Sequence, residues 1–264
     1  MNKTKKMNTY IKYGLTILAC AVVGGILGYS LMHVEGELVS FENIASQFLD
    51  TVKKYMLPEL IILLIAEILV GEICIRKAGM LGSRLTDAED EEGDQLDYEI
   101  EKITAAAQAV LMVIAFLSIV IVSTGYSIKY IKTLDEAELI GGLMAAFLTF
   151  VVIYIYHGYW GVRLIKLQQK LDPAKKGDPA SAKFTEQWVE SCDEAEKELI
   201  YQSAYRSYLV IRNVIPMLLL VSMLAHLMWN TGIMAVFCIG LIWMIQTVTY
   251  LKSSVKKKGQ KLYR

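Results

Sequence analysis

The sequence predicts an all-α membrane protein, a polytopic bundle of six transmembrane helices. Hydrophobic residues make up 55% of its 264 positions, and the mean hydropathy is +0.40. These residues are gathered into runs of about 20, the length that a helix needs to cross a bilayer. The runs are continuously apolar rather than alternating, which favours helices over the strands of a barrel.

Each run predicts one span of a single membrane domain that covers residues 1–264. The six runs lie near Tyr13–Met32, Tyr55–Ile75, Thr104–Tyr126, Leu139–Val162, Tyr208–Trp229 and Gly232–Leu251. Lysines before the first run are also typical of a secretory signal. That run continues well past Cys20, however, so we interpret it as a retained span.

Lysine and arginine predict that both termini lie in the cytoplasm. With the N-terminus inside, 22 of the 27 lysines and arginines fall in inner segments, four fall in outer ones, and Arg212 lies within the fifth run. This is the bias of the positive-inside rule. The outer connections are then short loops at Val34–Lys54 and Ser127–Ala137 and a turn at Asn230–Gly232.

The inner connections, residues 76–103 and 163–207, are predicted to be helical. Apolar residues recur at helical spacing in both, which indicates that spans three and five continue inward as amphipathic helices over Asp97–Ala107 and Glu186–Tyr205. The two stripes are Leu96, Ile100, Ile103 and Ala107, and Trp188, Cys192, Ala195 and Leu199.

The overall charge and the cysteines exclude several classes of protein. Acidic and basic residues balance at 27 each, so we expect no direct nucleic-acid binding. The four cysteines form no CxxC pair, so we expect neither a zinc site nor a disulfide framework. No cofactor and no metal are predicted.

The second run contains the carboxylates that most need an explanation. Glu67 is nearest the predicted midplane, where a charged carboxylate is costly unless it is protonated or paired. One hypothesis makes Glu67 a proton carrier or cation ligand. The alternative makes it a neutral acid that is hydrogen-bonded to a neighbouring helix.

Two further candidates lie at the inner ends of spans. Glu72 and Arg212 fall at similar depth, so they are predicted to pair, with Arg76 as a local competitor for Glu72. The alternative for Arg212 is that it snorkels to the interface. His157 is interpreted as a packed, hydrogen-bonding residue, with ligation as the alternative.

At the outer end, His33, Glu59 and His226 fall at similar depth on three different spans. They are acceptable metal ligands, although nothing fixes their lateral proximity. Separately, Glu72 and Arg76 match the later half of the Glu-Glu-x-x-x-Arg motif of intramembrane glutamate proteases. Gly71 replaces the first glutamate of that motif, the acid that would activate water.

The segment Trp188–Tyr205, WVESCDEAEKELIYQSAY, resembles the signature of a bacterial membrane-protein family known as domain of unknown function 3169. The six-span plan is also similar. The resemblance implies an origin in Gram-positive bacteria, often beside a small helix-turn-helix regulator, and so a sensory or regulatory role. It supplies no catalytic residues. Partner-binding candidates in this segment are Trp188, Asp193, Glu194 and Glu196.

We therefore expect a non-enzymatic protein of the bacterial cytoplasmic membrane, with a sensory, regulatory or stress-resistance role. Its partners would be the lipid bilayer, a cytoplasmic regulator protein and a second copy of the chain in a homodimer. The alternatives are a small proton-coupled transporter that uses Glu67 and an intramembrane enzyme.

Overall fold

The structure is a computed structural model that describes residues 11, 14, 15, 18, 22, 26, 35–85, 88–132, 134–135 and 138–262. Side chains are described for these residues except 35–43, 90, 128–129, 138–140, 254 and 256–262. Most of the first predicted span therefore lies outside the described residues, and the few residues described within it are helical.

The described chain is built from α-helices, which confirms the predicted all-α class. The helices are α1 (Glu35–Lys54), α2 (Met56–Leu85), α3 (Asp90–Gly125), the short α4 (Ile128–Ile131), α5 (Met144–Leu171), α6 (Phe184–Ser191), α7 (Glu194–Trp229) and α8 (Met234–Leu262). A π-helical segment at Glu138–Leu143 leads directly into α5.

Four helices in the described part of the chain are long and apolar enough to cross a membrane. They occupy Glu91–Gly125, Gly141–Leu171, Glu194–Trp229 and Met234–Ser253 and correspond to the third to sixth predicted spans. These helices indicate a membrane protein, as predicted. The helix of the second predicted span, α2, is long enough at 30 residues, but three glutamates interrupt its apolar sequence.

The segment predicted as an outer loop, Val34–Lys54, is helical over Glu35–Lys54, which form the 20-residue helix α1. Its apolar residues recur at helical spacing, but they are too few for a span. Val52 is buried, whereas Ile44 and Phe48 are exposed. α1 packs mainly against α3.

The chain divides into two compact units, residues 1–171 and 172–264. In the first unit α2, α3 and α5 pack against one another. α2 and α3 are antiparallel, since Cys74 lies 3.9 Å from the carbonyl of Ile103 and Arg84 lies 3.4 Å from Glu92. This packing buries one stripe of α2, which is rich in small side chains that let helices approach closely.

Two apolar clusters form the core of the first unit. The Leu60 cluster consists of Met56, Leu60, Leu143, Ala146 and Ile153. The Cys74 cluster consists of Cys74, Ala107, Leu111, Ile114, Trp160 and Leu164. Glu67 lies between the two clusters along α2, and His157 lies between them along α5. The core is therefore interrupted by polar side chains at one level.

The second unit contains α6, α7 and α8, and here the predicted continuous helix Glu186–Tyr205 is wrong. The helix breaks at Cys192, which is extended, and α7 starts anew with Asp193 as its N-cap. Asp193 accepts a hydrogen bond from the backbone N–H of Glu196, whose side chain accepts one from Asp193 N–H. This capping box satisfies N–H groups that would otherwise lack partners at the helix start.

α7 and α8 form a helical hairpin with a tight connection. Asn230 ends α7 in the left-handed conformation, at φ 48°, and its N–H donates to the carbonyl of His226. Gly232 follows with φ 91°, a conformation that glycine adopts at no steric cost. Towards the other end of the hairpin, the rings of Tyr208 and Tyr250 stack with centroids 4.8 Å apart.

Candidate functional site

The candidate site lies where α2 and α5 approach each other at Gly71. A Cβ atom on Gly71 would lie 2.7 Å from the Tyr156 hydroxyl and 2.8 Å from a ring carbon of Trp160. The missing side chain lets the indole N–H of Trp160 donate to the carbonyl of Gly71 at 3.1 Å. Trp160 is thereby buried with its polar atom satisfied.

Glu67 and His157 form a polar contact across this interface, with Glu67 Oε1 3.1 Å from His157 Nδ1. Glu67 is fully buried, whereas the side chain of His157 is 29% exposed. The second carboxylate oxygen, Oε2, has no hydrogen-bond partner among the described residues. The pair can hold or release a proton, and one of its acceptor atoms is unused.

Glu72 pairs with Arg163 of α5. Arg163 Nη1 donates to Glu72 Oε1 and Nη2 donates to Oε2 at 3.3 Å, a two-pronged geometry that suits a guanidinium and a carboxylate. The Tyr156 hydroxyl donates to Glu72 Oε1 at 3.2 Å, and the Arg163 guanidinium lies 5.4 Å from the centre of the Tyr159 ring. Glu72 is therefore held by two side chains of α5, Tyr156 and Arg163, and Tyr159 contacts the second of them.

Glu72 therefore has a partner within the first unit, Arg163, that the prediction did not name, and its pairing with Arg212 of α7 stays a prediction. Arg163 and Gly71 are site residues that the sequence analysis missed. Glu67, Gly71 and Glu72 of α2 each contact a residue of α5 that lies 89 to 91 positions later in the sequence. A constant offset means that the two helices run parallel. Matching residues on those two runs would have paired Glu72 with Arg163.

Two kinds of chemistry are therefore possible in the interface between α2 and α5. Glu67 and His157 can exchange a proton, and Arg163 neutralises the charge of Glu72.

The geometry at Gly71 also bears on the glutamate-protease motif. Position 71, which the motif gives to its first glutamate, is filled by the side chains of Tyr156 and Trp160. A glutamate side chain does not fit there without separating α2 from α5.

The predicted outer cluster is described only in part. His33 lies outside the described residues. Glu59 is half-buried in the first turn of α2, and His226 is half-buried near the end of α7 in the second unit. No group of three histidine, cysteine, aspartate or glutamate side chains in the described part of the chain could hold a metal ion.

The partner-binding candidates have local roles in the second unit. Asp193 and Glu196 form the capping box, and the ring of Trp188 packs against that of Phe184. The side chain of Glu194 is 95% exposed. The stripe predicted around these residues therefore belongs to two helices rather than to one.

Lys175 joins this region to the loop before α6. Its ammonium group donates to Glu196 and lies 3.5 Å from the buried sulfur of Cys192. Burial alone would lower the pKa of Lys175, but the hydrogen bond to Glu196 and the neighbouring Cys192 raise it, and the net pKa lies above its ordinary value. Lys175 is therefore a charged structural link at neutral pH.

One family model matches residues 6–254, which is almost the whole chain. The chain belongs to the DUF3169 family. The model is described as a protein of unknown function, so membership in DUF3169 confirms the resemblance seen at Trp188–Tyr205 without assigning an activity. No curated protein and no solved structure matches this DUF3169 chain.

Proposed function

We propose that this chain is a non-enzymatic sensory or regulatory protein of the bacterial cytoplasmic membrane. It would have six spans with both termini inside, and it would pass a membrane-borne stress signal to a cytoplasmic regulator. The observation that carries this proposal is the length of α3 and α7, which are 36 residues each. Such a helix is about 54 Å long, whereas the hydrocarbon core is about 30 Å thick.

Each of these helices continues without a break from a polar segment into an apolar run. A continuous helix transmits rotation or displacement along its axis, because its backbone hydrogen bonds resist bending. In α7 the ladder of backbone hydrogen bonds is interrupted at Pro216, inside the apolar run, so this argument is stronger for α3. The polar parts, residues 90–103 of α3 and 194–207 of α7, are the predicted inner segments. A change in the packing of the apolar runs would therefore reach the cytoplasmic surface.

The six-span topology requires α2 to cross the membrane despite its glutamates. The contacts with α5 support this, because Glu67 meets His157 and Glu72 meets Arg163 inside the interface. Glu67 is thereby fully buried, whereas Glu72 is 30% exposed and has its charge paired with that of Arg163. Charges inside a membrane are tolerated where they face the bundle and pair with one another.

The polar ends of α3 and α7 expose aromatic side chains that support a partner surface. Tyr98 on α3 is 65% exposed, and Tyr201 and Tyr205 on α7 are 58% and 56% exposed. Tyrosine is enriched in protein interfaces because it combines a large apolar ring with a hydrogen-bonding hydroxyl. These residues are separate from the predicted candidates Trp188, Asp193, Glu194 and Glu196.

Site-specific photocrosslinking in living cells tests the proposal. A photoreactive phenylalanine analogue is placed at Tyr98 or Tyr201, with Tyr55 as the matched control because it is an exposed tyrosine at the opposite, predicted outer end of α2. We expect one soluble protein to be captured from Tyr98 or Tyr201 and none from Tyr55. A membrane-active peptide should then change the crosslinking yield severalfold.

Two results would contradict the sensory role. One is capture of the same soluble protein from Tyr55, which would invert or abolish the proposed topology. The other is that neither inner position captures a soluble protein, whether or not the cells are treated with the peptide.

A second candidate function, a small proton-coupled transporter, is favoured by the buried carboxylate of Glu67. Its Oε2 atom lacks a partner within the described residues, and the neighbouring His157 is partly exposed. A proton that reaches His157 could therefore pass to Glu67 in the interior.

Proteoliposomes that contain a pH-sensitive dye distinguish this candidate from the sensor. A transporter dissipates an imposed pH gradient, and Glu67→Gln should abolish that flux while the matched variant Glu59→Gln on the same helix retains it. Equal rates for the wild type, Glu67→Gln and protein-free vesicles would leave the sensory role as the better account.

A further inference from the structure

The hairpin of α7 and α8 carries a groove whose polar side chains have no use in the α2–α5 site. The groove has a volume of about 680 Å³. Its lining residues come from both helices and include Tyr208, Arg212, Asn213, Trp243, Gln246 and Thr247. We propose that this groove binds the headgroup of an anionic phospholipid, with Arg212 on the phosphate.

The first reason is that Arg212 has no charged partner among the described residues of its unit. It lies within an apolar run of α7, between Ile211 and Val214, which are both exposed. Within the second unit no hydrogen bond or ion pair is formed by its guanidinium among the described residues. An unpaired arginine in an apolar run needs an anion or water, and a planar guanidinium matches the oxygens of a phosphate.

The second reason is the amide of Gln246 on α8. Its side-chain oxygen is buried and has no hydrogen-bond donor among the described residues. A buried amide oxygen without a donor is costly, so it indicates a ligand group with a hydroxyl or an N–H. The hydroxyls of a phosphatidylglycerol headgroup provide such donors next to a phosphate.

The third reason is the level of the groove along the hairpin. The stacked rings of Tyr208 and Tyr250 lie at the same end, and aromatic rings of this kind concentrate at headgroup depth. Lys252 follows two residues after Tyr250, and the sequence continues to Lys256, Lys257 and Lys258. Clustered lysines beside a span attract anionic lipids, which raises their local concentration at the groove. The inference requires only that α7 and α8 lie in a membrane, and it does not depend on the sensory role.

Lipid binding to the purified full-length chain tests the inference by native mass spectrometry in detergent. Phosphatidylglycerol is titrated against phosphatidylcholine, which has the phosphate but no net charge and no headgroup hydroxyl. We expect the wild type to prefer phosphatidylglycerol by about tenfold, because the choline cation of phosphatidylcholine competes with Arg212 for the phosphate and offers no hydrogen-bond donor to Gln246. Arg212→Gln should lose this preference, and Arg212→Lys should keep part of it.

Arg206→Gln is the matched control, since Arg206 is an exposed arginine on the same helix outside the groove. It should leave the preference unchanged. An equal loss in Arg206→Gln would show a diffuse interfacial charge effect and overturn the proposal. So would displacement of the lipid by millimolar inorganic phosphate, which would identify a soluble anion as the ligand.

A second variant covers the case in which Arg212→Gln does not fold. Gln246→Leu removes the unpartnered oxygen without changing charge, and we expect it to reduce the preference for phosphatidylglycerol severalfold with unchanged helical content. If Gln246→Leu preferred phosphatidylglycerol as strongly as the wild type does, the proposed contact between Gln246 and the headgroup would be refuted.

Discussion

A methyl group on Gly71 should loosen the interface between α2 and α5. The Cβ atom of alanine would lie 2.7 Å from the Tyr156 hydroxyl and 2.8 Å from Trp160, where ordinary contacts begin near 3.4 Å. Overpacking typically costs about 1–3 kcal/mol, and we take the upper part of that range, about 2–3 kcal/mol, because both contacts fall below 3.0 Å, where an atom must move. Alanine is also the better helix former, which offsets up to about 1 kcal/mol. We therefore expect Gly71→Ala to lower the free energy of unfolding by about 1–2 kcal/mol.

Gly79→Ala is the matched control on the same helix. No atom lies within 4 Å of a Cβ built at Gly79, so only the helix propensity changes. This variant should be neutral or gain about 0.5–1 kcal/mol. The two variants therefore differ in sign, which a general effect of alanine on a helix cannot produce.

The assay is unfolding of the purified chain in mixed micelles with increasing SDS, followed by tryptophan fluorescence. Trp160, one of the four tryptophans of the chain, reports on this interface, since its indole N–H donates to the carbonyl of Gly71. Equal or greater stability of Gly71→Ala relative to the wild type would refute the close approach of α2 and α5. A loss of stability in Gly79→Ala would refute the assignment of open space at that position.

Two further predictions concern the pairings described above. Arg163→Met should destabilise the chain by about 1–3 kcal/mol in the same SDS titration, because it leaves the Glu72 carboxylate without its main partner. The double variant with Glu72→Gln should recover most of that loss, and an equal loss in both would contradict the pairing. Asp193→Ala should speed amide hydrogen exchange in the first turn of α7, since a lost N-cap costs about 0.5–2 kcal/mol. Asp193→Asn should not, and unchanged exchange in Asp193→Ala would argue against the capping box.

The long apolar helices could be predicted because their pattern depends on the solvent rather than on tertiary contacts. A run that matches the thickness of a bilayer leaves little choice of structure. The third to sixth predicted spans accordingly coincide with the four apolar helices. α1 was missed because it has too few apolar residues for a membrane span. Those residues nevertheless recur at helical spacing, the pattern of an amphipathic helix.

The partners of the interior carboxylates could not be predicted from depth alone. Depth gives the height of Glu72 in the membrane, whereas pairing also needs the lateral order of the helices. The pairing of Glu72 with Arg163 depends on the packing of α2 against α5, which depth does not specify. The break before α7 is a different case, because the pattern of Asp193 and Glu196 marks a helix start in the sequence itself. The predicted helix Glu186–Tyr205 follows an apolar stripe that extends across this start, so the start was overlooked.

The offset of about 90 residues between α2 and α5 has a consequence for synthesis of the chain. A ribosome adds about 5–20 residues per second. Glu67 and Glu72 therefore emerge about 5–18 seconds before His157 and Arg163 exist. If α2 spans the membrane as proposed, it has no α5 to pair with during that interval, and its carboxylates need another partner or a proton until α5 is made. Maturation would then depend on the order in which the charged residues of the two helices are synthesised.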